Sequence, residues 1–173
     1  GSVRTGAFAE LAAVDAGQLR AVPAALSLTV AAAYPSAYLT AYVALVRRAN
    51  LQAGETLLVH GAAGGVGLAT VDLGRILGAR VIATSASADK RAALAAYGAD
   101  HVLDVSGDFA AEVKALTEGR GADVVFDPVG GDVFDQSARC TAFDGRLLII
   151  GFTGGRFATL ATNYALIKGF SVM

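Results

Sequence analysis

The sequence predicts an α/β protein with a Rossmann-type, doubly wound parallel sheet of six strands in the order 3-2-1-4-5-6 and helices on both faces. The first indication is an alternation of short, nearly continuous apolar segments with segments whose apolar residues recur at helical spacing. The second is that glycine or proline separates most of these segments, as in turns between strands and helices. Strands that are apolar throughout are typical of a parallel sheet, which is buried on both faces.

Residues 56–85 contain the clearest unit of this fold. A short apolar run, Leu57-Leu58-Val59, predicts a strand, and a glycine cluster at residues 61–67 follows it. Apolar residues at helical spacing then lead to Gly78, where we expect the helix to end, and residues 80–84 predict a second strand. The order and length of these elements are those of a βαβ unit.

The remaining segments continue the alternation. Asp108 and Asp132 are expected to cap helix starts, and Pro35 suits the first turn of an earlier helix that runs to about Asn50. The other predicted strands cover residues 101–105, 122–126, 146–150 and 170–173, and the other predicted helices cover residues 89–97, 108–118, 132–143 and 164–168.

Residues 1–33 do not resemble the start of a domain. Two short strands are predicted there, at residues 7–14 and 19–22. Two strands without partners cannot bury a face. We therefore interpret residues 1–33 as the trailing segment of a β-rich domain that is mostly absent from this sequence, and residues 34–173 as the sheet domain.

Composition limits the class of protein. The chain has 173 residues, of which 54% are hydrophobic and 17% charged, as expected for one well-buried α/β domain. A net charge of −1 argues against nucleic-acid binding, and a single cysteine, Cys140, excludes an internal disulfide framework and a multi-cysteine zinc site. We find no signal-like segment and no apolar run of membrane-spanning length, so we expect a cytoplasmic protein without a membrane partner.

The glycine cluster fits a site for the pyrophosphate of a dinucleotide. Side chains there would keep the pyrophosphate from the main chain, and the N–H groups and dipole of the helix start favour an anion. On the G-x-G-x-x-G frame, Ala62 takes the first position, Gly64 and Gly67 take the others, and Gly61 lies one residue upstream. The strand–turn–helix context supports the motif in spite of this departure. The alternative is a glycine-rich turn that binds nothing.

The end of the second predicted strand favours NADPH. NAD enzymes commonly place an acid there to bind the ribose 2′-hydroxyl. This chain has Thr84-Ser85-Ala86-Ser87 instead, with no acid until Asp89, and Lys90 and Arg91 follow. Hydroxyl groups and cations suit a 2′-phosphate. The alternative is that residues 89–91 are only the solvated first turn of the next helix.

A set of motifs gives the chain a family resemblance. They are L-T-A-Y at 39–42, G-E-T-L-L-V-H-G-A-A-G-G-V-G at 54–67, G-A-D at 98–100, D-V-V-F-D-P-V-G-G at 123–131 and G-R-L-L-I-I-G-F at 145–152. The set resembles the medium-chain dehydrogenase/reductases, and within them the zinc-independent branch of NADPH:quinone oxidoreductases and related enoyl reductases. The resemblance implies that residues 1–33 end a GroES-like substrate domain and that residues 34–173 are an NADP-binding domain.

The resemblance also implies where the cofactor binds. Its expected contacts are Thr40 on the nicotinamide side, Ala63, Gly64, Gly65 and Val66 at the pyrophosphate, Ser85 and Lys90 at the 2′-phosphate, Val129 near the adenine-side ribose, and Phe152 with Thr153 at the nicotinamide ribose. Three positions depart from relatives: Val105 replaces a stacking tyrosine, Ala37 replaces an asparagine, and Ser36 replaces a zinc-binding cysteine. No metal is therefore expected.

The implied reaction is hydride transfer from NADPH to a quinone or to an activated enone or enoyl thioester. Relatives supply the substrate-side groups from the absent domain, so we name no catalytic residue and expect this chain alone to be inactive. Relatives commonly dimerise through the sixth strand, which implies a homodimer.

Two other functions remain open. The first is an NADPH-binding module with a sensing or structural role and no turnover. The second is another Rossmann enzyme, such as a methyltransferase or a P-loop enzyme, although the missing G-K-[ST] and the missing second-strand acid argue against these.

The remaining polar residues are interpreted mostly as structural. His60 and His101 lack an evident partner, and Cys140 is expected to be a buried apolar residue. Tyr38 and Tyr42 are expected to be packing residues rather than proton donors. Asp127 either faces the cofactor or caps the following turn.

Overall fold

A computed structural model describes residues 8–173 of the chain. Within that range, six strands form one sheet in the order β3-β2-β1-β4-β5-β6, and all five strand pairings are parallel. The strands are β1 Thr56–Val59, β2 Arg80–Thr84, β3 His101–Leu103, β4 Ala122–Asp127, β5 Thr141–Ile149 and β6 Ser171–Val172. The predicted fold class and strand order are therefore confirmed.

Helices cover both faces of the sheet, as predicted. They are α1 Leu28–Tyr42, α2 Gly65–Ile76, α3 Ala88–Tyr97, α4 Phe109–Leu116, α5 Gly131–Cys140 and α6 Thr162–Lys168. Strand β1 shows how the faces are shared: Leu57 and Val59 pack with α2 and α3 residues, whereas Leu58 packs with α4 and α5 residues. Successive side chains of a strand point to opposite faces, so one central strand contributes to both halves of the core.

Helix α1 begins earlier than predicted. It starts at Leu28, contains Pro35, and continues as a π-helical segment, Val43–Arg48. The Ser27 hydroxyl accepts a hydrogen bond from the Val30 N–H at 3.3 Å, as a capping residue does. The alanine-rich turns before Pro35 favour helix, so proline does not mark the start.

Together these segments form a 21-residue helix, Leu28–Arg48, which contains an 18-residue window of mean hydropathy 1.3. By length and composition it meets the criterion for a membrane span, contrary to our sequence interpretation. Core helices of water-soluble proteins meet the same criterion, so this helix by itself does not establish a membrane span. Ala44 and Leu45, in its last turns, are buried among core residues of the sheet.

The strands predicted at residues 7–14 and 19–22 are wrong wherever the structure describes them. Residues 8–26 contain no strand, and their regular structure is a short 3₁₀ helix, Ala16–Gln18, capped by Asp15. Ala7 lies outside the described residues. The chain divides into two compact units, one ending at Pro35 and the other comprising Ser36–Met173. The assignment of residues 1–33 to a substrate domain stays a prediction.

Several boundaries differ near the ends of elements. Helix α5 is capped at Gly130 rather than Asp132 and ends at Cys140, and β5 begins at once at Thr141. Strand β3 ends at Leu103 rather than residue 105. The predicted Asp108 cap is confirmed, because its side chain accepts a hydrogen bond from the Ala111 N–H.

Candidate functional site

The carboxyl edge of the sheet carries a cleft of about 350 Å³. It connects three segments: the glycine turn (residues 61–64) after β1, the β2 loop (residues 85–87), and the turn after β4. The lining residues are Gly61, Ala63, Gly64, Thr84, Ser85, Ala86, Ser87, Lys90, Val105, Val129 and Val133. Ligands of doubly wound sheets bind at this edge, where the strand order reverses. The structure therefore provides an open crevice from the glycine turn to Ser85.

The glycines of this region differ in what a side chain would meet. A Cβ atom on Gly67 would lie 2.2 Å from the Gly61 carbonyl oxygen, so helix α2 packs too closely on the turn for any side chain there. A Cβ atom on Gly65 would meet nothing within 4 Å. Gly67 thus permits close packing, while Gly65 leaves open space at the helix start.

Gly61 explains the departure from the usual motif. Its φ is +57°, in the left-handed region that favours glycine, whereas Ala62 is buried. The sharp turn therefore depends on the glycine one residue before the expected frame. The Gly64 N–H donates to the Gly61 carbonyl oxygen at 3.0 Å and closes the turn.

Helix α2 presents its N-terminus at the glycine turn. It begins at Gly65, and its N-cap, Gly64, has no side chain to accept from the first turn. The first N–H groups of an α-helix have no partner within the helix, and the dipole adds partial positive charge. Gly65 and the half-buried Val66 lie in this first turn. The arrangement can bind an anionic group.

The β2 loop offers hydroxyl groups to the same cleft, and Lys90, in the first turn of α3, adds a cation. Ser85, Ser87 and Lys90 line it, and no carboxylate is among its lining residues. Ser87 is the N-cap of α3, where its hydroxyl accepts from the Lys90 N–H at 3.5 Å. Lys90 is exposed, and within residues 8–173 no acidic side chain pairs with its ammonium group. This end of the cleft suits a second anionic group.

The other predicted contacts lie elsewhere on the same edge. Thr40 lines a separate, mostly apolar cleft of about 400 Å³ together with Val43, Leu148, Ile150 and others. Phe152 and Thr153 follow β5 and line neither cleft. Thr153 donates to the Pro128 carbonyl oxygen through its N–H at 3.0 Å and its hydroxyl at 3.1 Å. Five of the predicted contacts therefore line one cleft: Ala63, Gly64, Ser85, Lys90 and Val129. Gly65 and Val66 lie next to it, in the first turn of α2, but do not line it. Thr40, Phe152 and Thr153 do not line it either.

Asp127, for which two roles were open, caps the turn after β4. Its Oδ1 atom accepts from the Val129 N–H at 2.8 Å and from the Gly130 N–H at 3.0 Å. The side chain is buried, and burial raises its pKa while the two N–H groups oppose that shift. Asp127 thereby fixes the turn that brings Val129 to the cleft.

His60 lies beneath the cleft and joins three elements. The ring is fully buried, with Nδ1 2.9 Å from the Thr84 hydroxyl and Nε2 2.8 Å from the Ser137 hydroxyl. The Ser137 hydroxyl donates to the Val133 carbonyl oxygen at 2.7 Å, so it must accept from Nε2–H. Nδ1 then accepts from Thr84. Burial lowers the pKa of His60 to about 3, and the neutral ring ties β1 to β2 and α5.

The structural interpretation of His60 is therefore confirmed, although its partners were not predicted. They are separated from it by 24 and 77 residues along the chain, and neither belongs to a local motif. Tyr38 also does more than pack: its hydroxyl donates to Asp72 Oδ2 at 2.7 Å, which raises its pKa well above the usual range. Cys140 is buried, which raises its pKa to about 12, as expected for an unreactive thiol.

No group of three or more His, Cys, Asp or Glu side chains within residues 8–173 has the arrangement of a metal site. The candidate site of the described chain therefore rests on main-chain N–H groups, hydroxyl groups and Lys90.

Comparisons with known proteins, by family model, by sequence and by structure, all find dehydrogenases or reductases. Residues 65–173 match the family model described as zinc-binding dehydrogenase. A quinone oxidoreductase-like protein 2 homolog from Nematostella vectensis is 39% identical over 170 residues, which cover 97% of this chain and 46% of that protein. The chain spans about half the length of the curated relatives it matches, 46% and 48% for two of them.

Two solved structures are similar in both sequence and fold. The nucleotide-binding subdomain of the enoylreductase domain of PpsC from Mycobacterium tuberculosis is 36% identical, with a TM-score of 0.72; the match covers 80% of this chain and 79% of that one. A mycobacterial protein complexed with NADPH is 34% identical, with a TM-score of 0.82, over 88% of this chain and 48% of that one.

Proposed function

We propose a function from the premise that this chain belongs to the zinc-binding dehydrogenase family, as a nucleotide-binding domain of the medium-chain dehydrogenase/reductases. In this proposal, the chain is the cofactor-binding domain of an NADPH-dependent oxidoreductase, and the whole enzyme transfers hydride to a quinone or to an activated enone or enoyl thioester. The observation that carries this proposal is the cleft at the carboxyl edge of the sheet. One end of the cleft is the glycine turn, which presents main chain, and the other end presents the hydroxyl groups of the β2 loop and the ammonium group of Lys90. No carboxylate lines this cleft.

The cofactor is NADPH, and the residues of the cleft fit it. Gly64, Gly65 and Val66 hold the pyrophosphate through main-chain N–H groups, next to Ala63. Open space above Gly65 supports this placement, because a Cβ atom there has no neighbour within 4 Å. The helix dipole of α2 adds to the attraction for the anion.

The selectivity for NADPH over NADH comes from the β2 loop. Ser85 and Lys90 contact the 2′-phosphate, and Lys90 supports this role because it is exposed and has no acidic partner among the described residues. Val129, held at the cleft by the Asp127 turn, contacts the adenine-side ribose. A charge-assisted contact of this kind contributes about 1.5–3 kcal/mol.

Bound NADPH supplies a hydride donor, and the chain's tasks are to bind and orient it. Thr40, Phe152 and Thr153 orient the nicotinamide end; Thr40 lines an apolar cleft, and Thr153 is fixed by its two hydrogen bonds to Pro128. Holding the reacting groups close accounts for much of the rate enhancement in such enzymes. Groups that polarise the acceptor come from a substrate domain, in the half of the relatives' length that this chain does not match, so we expect this chain alone to be inactive.

We also propose an oligomeric state, a class of substrate and a cellular location for this protein. Strand β6 pairs with β5 on one side only within the described chain, and such an unpaired edge supports a homodimer formed through β6. A net charge of −1 supports a small-molecule substrate rather than nucleic acid. We place the protein in the cytoplasm without a membrane partner, because Ala44 and Leu45 of the long apolar helix pack into the core of the sheet.

The direct test measures dissociation constants of this chain for NADPH and NADH by fluorescence titration. We expect the chain to prefer NADPH, and Lys90→Ala to weaken NADPH binding by about tenfold while NADH binding stays unchanged. Lys114→Ala removes another exposed lysine, on α4, and is the matched control. Equal affinities for both dinucleotides in all three proteins would refute the cofactor assignment.

A second measurement separates the reductase from a module that binds NADPH without turnover. The full-length protein is assayed for NADPH oxidation with a quinone and with an enoyl thioester. Turnover of either acceptor supports the reductase. Tight NADPH binding with no oxidation by either acceptor would favour the sensing or structural role.

A further inference from the structure

Arg91 makes contacts that neither of our sequence interpretations anticipated. Its Nη1 atom lies 3.0 Å from the Ser85 carbonyl oxygen, 2.8 Å from the Ala86 carbonyl oxygen and 2.9 Å from Asp104 Oδ2. Nη1 carries two hydrogens, so one of them is shared between acceptors. Arg91 is thus neither a free phosphate ligand nor simply a solvated residue of the first turn of α3.

These contacts determine which groups the β2 loop presents to the cleft. Ser85, Ala86 and Ser87 line the cleft, whereas Arg91 does not. The carbonyl oxygens of Ser85 and Ala86 are therefore directed to a cation outside the cleft lining. A carbonyl oxygen facing a phosphate would repel it, because both carry negative charge.

The hydroxyl groups of the loop and its third carbonyl oxygen are also held by hydrogen bonds. The Ser85 hydroxyl accepts from the Ser87 N–H at 3.4 Å, and the Ser87 hydroxyl caps α3. The Arg91 N–H donates to the Ser87 carbonyl oxygen at 2.9 Å as part of the first turn. Arg91 thus fixes all three carbonyls of the loop, through its side chain or its main chain.

Asp104 anchors Arg91 from the segment after β3. Its Oδ1 atom accepts from the Ser106 hydroxyl at 2.6 Å and from the Ser106 N–H at 2.9 Å, and its Oδ2 atom pairs with Arg91. The bonds from Ser106, followed by the charge of Arg91, lower the pKa of Asp104. A fixed carboxylate therefore holds the guanidinium in place.

We propose that Arg91 is a positioning residue that determines cofactor selectivity: it holds the β2 loop in the shape that binds a 2′-phosphate, while Lys90 makes the contact. This inference rests on the proposed function, since it assumes that the phosphate of NADPH binds at the loop. Asp104 acts through Arg91 in the same arrangement.

The test compares Arg91→Ala with Arg75→Ala. The Arg75 Nη1 atom donates to the Tyr97 carbonyl oxygen at 3.1 Å, at the opposite end of α3, so this variant loses a similar bond away from the cleft. We expect Arg91→Ala to raise the dissociation constant for NADPH by about fivefold to tenfold, with NADH binding changed by less than about twofold. Arg75→Ala should change neither. No change in Arg91→Ala, or an equal loss for both dinucleotides, would overturn the proposal.

Asp104→Asn separates positioning from direct contact. If Arg91 itself bound the phosphate, release from Asp104 would free the guanidinium and tighten NADPH binding. A positioning role for Arg91 predicts the opposite, a loss of NADPH affinity of about threefold in Asp104→Asn. Unchanged or tighter binding of NADPH by Asp104→Asn would overturn the proposal, and this variant stays informative if Arg91→Ala does not fold.

Lys90→Ala distinguishes failure of this inference from failure of the proposed function. If Lys90→Ala weakens NADPH binding and Arg91→Ala does not, the positioning role alone is wrong. If Lys90→Ala and the wild type bind NADPH and NADH equally, the phosphate site itself is wrong, and the positioning role is rejected with it.

Discussion

The glycine turn and the β2 loop line the same cleft, but they are built from different parts of the chain. The glycine turn and the start of α2 present main chain to the cleft. Gly61 is in a left-handed conformation, and a Cβ atom on Gly67 would lie only 2.2 Å from the Gly61 carbonyl oxygen. The β2 loop and the first turn of α3 present side chains instead: Ser85, Ser87 and Lys90 line the cleft, and Arg91 lies outside its lining.

We expect the glycine turn to govern the affinity for both dinucleotides and the β2 loop to govern the selectivity between them. In the proposed binding mode, main-chain N–H groups hold the pyrophosphate that NADPH and NADH share, so the glycine turn cannot distinguish them. In the same mode, only the β2 loop and Lys90 meet the atoms that differ. Substitutions in the glycine turn or in the first turn of α2 should therefore change folding or the binding of both dinucleotides. Substitutions in the β2 loop should change the ratio of their affinities.

The largest effect is expected from Gly67→Ala. The added Cβ atom would overlap main-chain atoms of Gly61 and Ala62, which cannot rotate away as a side chain can. We expect the free energy of unfolding to fall by about 3 kcal/mol, measured by urea denaturation, with both dinucleotides bound more weakly.

Gly65→Ala is the matched control, because its Cβ atom meets no other atom within 4 Å. Its stability should stay within about 1 kcal/mol of the wild type, while the affinity for both dinucleotides falls. An unchanged stability of Gly67→Ala would contradict the close packing of α2 on the turn.

Ser85→Asp should have the next largest effect, on selectivity. A carboxylate at the end of β2 repels the 2′-phosphate and accepts from the ribose hydroxyl of NADH. We expect NADPH affinity to fall by about 2 kcal/mol, roughly thirtyfold, while NADH binding strengthens. Titration with both dinucleotides measures the ratio. A parallel loss for NADPH and NADH would show that the loop does not discriminate between them.

His60, which lies below both segments, makes stability depend on pH. Its pKa is about 3 in the folded protein and 6.5 in the reference state, so the unfolded chain binds more protons between these values. The contribution of the neutral ring is present above pH 6.5 and is lost as the pH falls toward 3, by at most about 1.4 kcal/mol per pH unit.

His60→Gln keeps hydrogen-bonding groups but does not titrate. The difference in the free energy of unfolding between wild type and His60→Gln should therefore shrink between pH 6.5 and pH 4. A difference that stays constant over this range would contradict a buried neutral imidazole.

Ser87→Ala should have the smallest effect. Loss of the α3 N-cap costs about 1 kcal/mol of stability, and we expect a modest loss of NADPH affinity because the loop is less well fixed. Asp108→Ala removes the N-cap of α4, which lies outside the cleft lining, and should lower stability equally without changing NADPH binding. An equal effect of both variants on NADPH affinity would contradict a role for the Ser87 cap at the site.

The same contrast explains how much the sequence could predict. The strand order, the βαβ unit and the glycine turn depend on periodicity and local turn chemistry, which are visible within short windows. The assignments of Ser85 and Lys90 to the cleft follow from their place just after a strand. The start of α1 was mispredicted because Pro35 suggested a first turn, although alanine-rich sequence and Ser27 favoured an earlier one.

Contacts between distant segments were beyond sequence reasoning. His60 bonds to Thr84 and Ser137, and Arg91 pairs with Asp104 on another loop. No local pattern identifies such pairs, because they exist only after the sheet brings strand ends together. The start of α5 was misplaced for a similar reason: Asp127 organises the turn before it, and Asp132 is therefore not the cap.

The close approach of Gly67 to the Gly61 carbonyl also limits how this protein can be altered. No single replacement at residue 67 avoids the overlap, because every other amino acid carries the Cβ atom that causes it. An engineer who wishes to change the preferred nucleotide, and equally natural variation acting one mutation at a time, must therefore work through the segment after β2 and leave Gly67 as it is.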